Sequence, residues 1–217
     1  MAETRIGFAV TGSFCTFARV FPQMQLLAEK GYRVIPIMSE NAYVTDTRFG
    51  RAQDWIRQAE EITGEAVIHT IAQAEPIGPK KLLDLLVIAP CTGNTLGKLA
   101  CGIYDTAPTL AVKSHRRNDG PVLIAVSTND ALAFSAASIG TLMARRGMFF
   151  VPFEQDDFRG KPTSCVADFE KILPAVGAAL DGRQLQPMVL CQEREENARV
   201  IRLVDKRRLF TYHEIKR

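Results

Sequence analysis

The sequence lacks the features of disulfide-stapled, zinc-binding and membrane-spanning proteins. Its five cysteines are odd in number, and none forms a CxxC pair or stands with a histidine at metal-ligand spacing. Neither a disulfide framework nor a metal site is therefore predicted. No apolar run approaches the roughly 20 residues of a membrane span, and the first residues carry no signal-peptide pattern. We expect a protein of the reducing cytosol.

Over most of the chain, neither positive nor negative charge is in excess. The formal net charge is +3 over 217 residues, and the segment 193–217 alone holds eight Lys or Arg against five Asp or Glu. The rest is close to neutral, which argues against nucleic acid as a partner. We predict one α/β domain over residues 1–192 and a charged C-terminal extension over 193–217. The extension is either a solvated tail or a segment that docks on a partner.

Apolar runs of strand length alternate with segments of helical periodicity. The predicted strands are 5–11, 32–38, 82–89, 121–126 and 148–151, and the predicted helices are 16–30, 51–63, 94–101, 107–114, 130–146 and 166–180. Such alternation requires right-handed crossovers and predicts a three-layer, doubly wound parallel sheet of the flavodoxin-like or Rossmann-like class. The run 82–89 is the most hydrophobic, so it should lie in the middle of the sheet.

Polar loops follow three of the predicted strands, and doubly wound sheets bind ligands at the carboxyl ends of their strands. The first loop contains Gly12 and Ser13. It could hold a phosphate at the start of the next helix. It is neither a dinucleotide GxGxxG nor a P-loop, because the P-loop lysine is missing. The alternative is a plain turn with a capping hydroxyl.

The second and third loops offer hydroxyl and amide groups that can bond an anion or the edge of a heterocycle. Their candidates for cofactor binding are Thr92, Gly93, Asn94, Thr95, Ser127, Thr128 and Asn129. Helix capping is the alternative in both loops. Ser39, at the end of the second strand, is a further candidate. Arg48 and Lys98 are candidates for binding an anionic substrate, with surface ion pairing as the alternative.

The stretch PCTGNTLGKLACGIYD, residues 90–105, resembles a segment of the homo-oligomeric flavin-containing Cys decarboxylases. Other stretches, including TGSFCT, VTDTRFG, AEPIGPK and AVSTNDAL, resemble the family of dipicolinate synthase B subunits from spore-forming bacteria over nearly all of residues 1–192. One departure stands out. Counting back from Pro90, the position of the decarboxylases' active-site histidine is Pro76, and His69 lies seven residues before it.

The resemblance implies a component of an oxidoreductase in the cytoplasm of the mother cell. It implies that the partner is an NADP-binding A subunit, that the substrate is a small dicarboxylate, and that (hydroxy)tetrahydrodipicolinate is converted to dipicolinate. FMN is the candidate cofactor of this chain, and a trimer-based homo-oligomer is expected. Two alternatives remain: a non-catalytic structural or activating partner of the A subunit, and a flavin-dependent decarboxylase, which the missing histidine disfavours. No catalytic residue is assigned.

Overall fold

The computed structural model describes residues 3–190, so the predicted extension 193–217 lies outside the described residues. The strands are β1 (Arg5–Val10), β2 (Arg33–Met38), β3 (Leu85–Cys91), β4 (Val122–Thr128), β5 (Met148–Phe150), β6 (Phe153–Glu154) and β7 (Cys165–Ala167). The helices are α1 (Phe17–Glu29), α2 (Glu40–Val44), α3 (Ala52–Thr63), α4 (Ile71–Ala74), α5 (Gly93–Cys101), α6 (Ala107–Arg116), α7 (Phe134–Met143) and α8 (Ile172–Leu180). Three short 3₁₀ turns occupy Phe14–Thr16, Glu75–Ile77 and Phe169–Lys171.

Five parallel strands form the main part of a seven-stranded sheet, in the order β2-β1-β3-β4-β5. Helices α1, α3 and α8 cover one face, and α5, α6 and α7 cover the other. This confirms the predicted three-layer, doubly wound class, and the strand order is the flavodoxin-like one. All residues of β3 are buried, as expected for a parallel strand covered on both faces.

The sheet is mixed rather than wholly parallel, which corrects the prediction. Strand β7 pairs antiparallel with the end of β4, where Ser127 faces Val166 and Thr128 faces Cys165, and β6 pairs antiparallel with β7. The predicted helix 166–180 was therefore wrong in its first part: its start is strand β7, and α8 begins only at Ile172. Pairing with β4 gives these residues hydrogen-bond partners that local periodicity does not reveal.

Two other predicted boundaries were also wrong. The helix expected over 130–146 is α7, which begins at Phe134, because the Asp130 carboxylate accepts hydrogen bonds from Thr128 Oγ1 and Ser135 Oγ and holds residues 130–133 in a turn. The strand expected over 82–89 begins at Leu85 and continues through the proline to Cys91. Helices α2 and α4 were not predicted, because each is barely longer than one turn.

Apolar spacing accounts for the position of α1 on the sheet. Its buried residues recur on one face, at Phe17, Val20, Phe21, Met24 and Leu27. Gly31, with φ of 84°, follows the helix in the left-handed conformation that glycine adopts without strain. Trp55 on α3 packs on Phe17 and Phe21 with ring centroids 5.4 and 4.8 Å apart, which joins α3 to α1.

The described part of the chain offers no support for a membrane span or a metal site. Between residues 3 and 190, no helix combines the length and apolar character needed to cross a bilayer. In the same part of the chain, His, Cys, Asp and Glu side chains nowhere gather in threes as a metal site would require.

Candidate functional site

A cavity of about 900 Å³ opens at the carboxyl ends of β1, β3 and β4. The strand order reverses between β1 and β3, which is where a doubly wound sheet forms its binding crevice. The volume is within the range of roughly 300 to 1,000 Å³ that is typical of small-molecule sites. The structure brings all three predicted loops to this cavity, which is lined by Gly12, Ser13, Thr92, Ser127, Thr128 and Asn129.

Thr11 joins the first loop to the second. Its side chain is almost completely buried, with an exposed fraction of 1%. The Thr11 hydroxyl donates a hydrogen bond to the carbonyl oxygen of Pro90 at 2.7 Å and accepts one from the backbone N–H of Thr92 at 3.1 Å. Because one hydroxyl uses both its donor and its acceptor, the two loops are held at a defined separation.

Ser13 joins the first loop to the third. Its Oγ lies 2.8 Å from Ser127 Oγ, and Ser127 is buried at the end of β4. Neither Ser13 nor Thr16 caps the helical residues that follow it, which removes the capping alternative for this loop. Thr16 Oγ1 donates instead to the carbonyl oxygen of Ser13 at 2.8 Å. The first N–H groups of α1 are thus left without a capping side chain at the crevice.

Gly93 joins the second loop to the third by close packing. A Cβ at this position would lie 2.6 Å from Ser135 Oγ, and 2.8 Å from both Asp130 Oδ1 and Thr128 Oγ1. Thr128 and Ser135 both donate to Asp130 Oδ1, so none of the three side chains can move aside alone. Gly93 therefore stands behind the cavity wall rather than in its lining.

Two predicted site residues cap helices; capping was the stated alternative for Thr92 but was not foreseen for Ser39. Thr92 Oγ1 accepts from the backbone N–H of Thr95 at 3.4 Å at the start of α5, while Thr92 also lines the cavity. Ser39 Oγ accepts from the backbone N–H of Ala42 at 3.3 Å at the start of α2 and is not part of the lining. Thr95 is buried behind Thr92, with their hydroxyl oxygens 3.1 Å apart.

The other candidates lie away from the cavity lining. Asn94 is exposed on α5. The Lys98 ammonium contacts both carboxylate oxygens of Asp105 at 2.8 and 2.9 Å, and this hydrogen bond holds the pKa of the Asp105 carboxyl below its ordinary value. The Arg48 guanidinium lies 4.8 Å from the ring centroid of Phe49, and Phe49 itself reaches the cavity.

An outer wall of the cavity, formed by Arg19, Asp156, Lys161 and Ser164, was missed in the sequence. Arg19 follows Thr16 by one helical turn, so it lies on the same side of α1 as the first loop. This spacing could have identified Arg19 as a lining residue. The other three belong to the segment 155–164 that precedes β7. Thr163 anchors this segment to the third loop: its Oγ1 donates to the carbonyl oxygen of Asn129 at 2.7 Å.

Neither histidine of residues 3–190 lines the cavity. The ring of His69 stacks on Tyr43 with centroids 3.7 Å apart. His115 is buried beside the carbonyl oxygen of Pro121, and its burial lowers the pKa of the imidazole. Pro76 lies in the 3₁₀ turn that packs on α6, so no imidazole occupies that position.

Two cysteines near the site differ in accessibility. Cys91, at the end of β3, is fully buried, and burial raises the pKa of its thiol, as expected for a packing residue rather than a nucleophile. Cys15 is exposed and lines the cavity.

Comparison with known proteins places these features in a family. The model of the flavoprotein family matches residues 1–168. The B subunit of dipicolinate synthase from Bacillus subtilis (strain 168) is 43% identical over 186 residues, which cover 86% of this chain and 93% of that protein. The crystal structure of the dipicolinate synthase B subunit from Bacillus halodurans has a TM-score of 0.81 at 41% identity, covering 88% of this chain and 98% of that one.

A more distant solved structure has the same fold. DmrB of Burkholderia xenovorans, described as a cubic protein cage for redox transfer and solved in complex with FMN, has a TM-score of 0.61 at 20% identity. The match covers 82% of this chain and 96% of that one. At this identity the likeness concerns the fold alone.

Proposed function

The chain belongs to the flavoprotein family and, within it, to the dipicolinate synthase B subunits, and from this membership we propose that it acts in an oxidoreductase complex. Its partner is an NADP-binding A subunit. Together they convert (hydroxy)tetrahydrodipicolinate to dipicolinate, a step that aromatises the ring by loss of water and two electrons. The present chain contributes the crevice between β1, β3 and β4, which holds FMN and the dicarboxylate.

The observation that carries this proposal is the convergence of three polar loops on one cavity of about 900 Å³. In the flavodoxin-like strand order, FMN binds at the switch point between β1 and β3. The residues present fit such a ligand. Ser13, Thr92 and Ser127 offer uncharged hydroxyls, and no side chain caps the start of α1, a helix end that favours a phosphate.

FMN, when bound, supplies a two-electron acceptor that no side chain can replace. The chain's own residues bind the ligand and hold the loops that orient it. Thr11 and the Ser13–Ser127 pair hold the loops in register, and Gly93 allows the second and third loops to approach closely. Thr11 and Ser127 are themselves buried, which fixes these contacts between the loops.

The missing imidazole supports a function other than decarboxylation. The decarboxylase position is occupied by Pro76, and His69 is held against Tyr43. A general acid or base must lie within hydrogen-bond reach of the group it serves. Neither residue meets that requirement at the cavity.

Helix α7 supports a homo-oligomer. Residues 131–144 contain no charged side chain. Leu132 and Phe134 are exposed by 54% and 93%. Large exposed apolar side chains beside an uncharged helix surface are typical of a protein–protein contact, so we infer that this surface has a partner. DmrB, with the same fold, is described as a cage. We assign the face to other copies of this chain, in a trimer-based assembly.

Reconstitution tests the proposed function. The purified chain is expected to show flavin absorbance, or a thermal shift on addition of FMN or dipicolinate. The NADP-binding partner is expected to form dipicolinate much faster with this chain than without it. If the chain shows no flavin band and no shift with either ligand, the crevice does not serve as a binding site. If the chain then still accelerates its partner, it is an activating protein only.

Cys15 provides a direct probe of the crevice. Saturation with FMN is expected to slow alkylation of Cys15 by iodoacetamide about tenfold or more, because the thiol lines the cavity. Cys101, exposed on α5 outside the lining, is the internal control, and its rate should not change. Peptide mass spectrometry measures both rates in one sample. Equal rates at Cys15 with and without FMN would show that the ligand binds elsewhere.

A further inference from the structure

The two walls of the crevice differ in charge. The inner wall, formed by the three polar loops, is lined only by uncharged groups. The outer wall carries the cations Arg19 and Lys161 and a single carboxylate, Asp156. The cations come from separate elements, α1 and the segment 155–164. A net positive wall attracts an anionic ligand, and two cations on separate elements suit two separate anionic groups.

Arg19 has its donors available for a ligand. Its guanidinium carbon lies 5.1 Å from the ring centroid of Phe169, which is buried and therefore a fixed support. No carboxylate of residues 3–190 forms an ion pair with Arg19. A guanidinium that stacks on an aromatic ring presents its N–H groups at the edge, in the geometry that matches a carboxylate.

Lys161 has a fixed backbone and a loosely held ammonium group. Its backbone N–H donates to the carbonyl oxygen of Asp157 at 2.7 Å, and its carbonyl oxygen accepts from Ser164 N–H at 3.0 Å. Its Nζ lies 3.7 Å from Asp156 Oδ2, longer than the roughly 2.8 Å of a charge-assisted hydrogen bond. The ammonium can therefore exchange Asp156 for an anionic ligand at little cost.

We propose that Arg19 and Lys161 each bind one carboxylate of a planar ring dicarboxylate, so that the outer wall determines specificity for a doubly anionic substrate. This rests on the proposed function. A phosphate is served by the neutral donors and the start of α1 on the inner wall, which leaves the two cations for the substrate. Lys98, by contrast, is already neutralised by Asp105.

Calorimetry on the full-length chain tests the pair. Pyridine-2,6-dicarboxylate is compared with pyridine-2-carboxylate, and FMN is titrated separately. The variants are Arg19→Gln, Lys161→Gln and their combination. Arg159→Gln is the matched control, because Arg159 is in the same segment, lies over Phe158 and does not line the cavity.

Each single variant is expected to lower affinity for the dicarboxylate about tenfold or more. The double variant should lose the preference for two carboxylates over one, and the control and FMN binding should not change. If both single variants keep the wild-type preference for two carboxylates over one, this inference is wrong, but the proposed function is not affected. If the variants lose FMN binding but keep dicarboxylate binding, the inference is also wrong, and the two cations recognise the phosphate instead. A wild-type chain that binds neither ligand contradicts the proposed function itself.

Discussion

Replacement of Phe134 with Asp is expected to separate the proposed assembly of identical chains into single chains of 217 residues. Phe134 is 93% exposed at the start of α7, the most exposed of the large apolar residues in the described part of the chain. Loss of an aromatic anchor from an interface costs about 2 to 4 kcal/mol, and an unpaired carboxylate in its place adds to that cost. The dissociation constant should rise by about 30-fold to 1,000-fold.

Size-exclusion chromatography with light scattering measures this change. Ile71→Asp is the control, because Ile71 is also an exposed apolar residue but lies on α4, on the β2 side of the sheet. That variant should keep the wild-type mass, and both variants should keep the wild-type circular dichroism spectrum. A Phe134→Asp protein with the mass of the wild-type assembly would remove α7 from the interface. A wild-type protein that is already a single chain would refute the assembly.

The change Gly93→Ala is expected to destabilise the fold by about 1 to 3 kcal/mol, as overpacking of a close contact does, and to weaken FMN binding by about tenfold or more. The added methyl group would lie within 2.8 Å of three hydrogen-bonded oxygens, on Thr128, Asp130 and Ser135. Relief of the clash must separate the second loop from the third. Because both loops line the crevice, stability and binding should fall together.

Gly177→Ala is the matched control for this variant. Gly177 lies within α8, and a Cβ there would meet no atom within 4 Å. Its replacement should stabilise the protein by about 0.5 to 1 kcal/mol, since alanine favours a helix interior, and should leave binding unchanged. Urea denaturation and FMN titration measure the two effects. Wild-type stability and affinity in Gly93→Ala would show that the loops can separate without consequence.

The predicted order of strands and helices was confirmed where hydrophobic patterning is strong. Strand β3 is a continuous apolar run, and α1 has buried residues at helical spacing, so each follows from local sequence. The helix predicted from residue 166 failed because Cys165 and Val166 pair with β4, a contact between distant parts of the chain. Short elements such as α2 carry too few residues for periodicity to be visible.

The inner wall of the crevice was largely predictable, and the outer wall was not. Gly12, Ser13, Thr92 and the third loop directly follow strands, and parallel strands bring their carboxyl ends to the same edge. The segment 155–164 reaches that edge only because β7 runs antiparallel to β4. Arg48 and Lys98 were proposed for the substrate, whereas Arg19 and Lys161 are the cations that line the cavity.

By itself, the sequence determined the doubly wound fold and the neutral, hydroxyl-rich crevice, because hydrophobic periodicity and the residues that end each strand are local properties. The tertiary structure decided which charged groups face that crevice and which apolar helix face is left exposed. Those features depend on antiparallel pairing of β7 with β4 and on the packing of α7 beside α5, which join residues far apart in the chain. A cation's role depends on its neighbours: Asp105 neutralises Lys98, while Phe169 supports Arg19 and leaves its donors available.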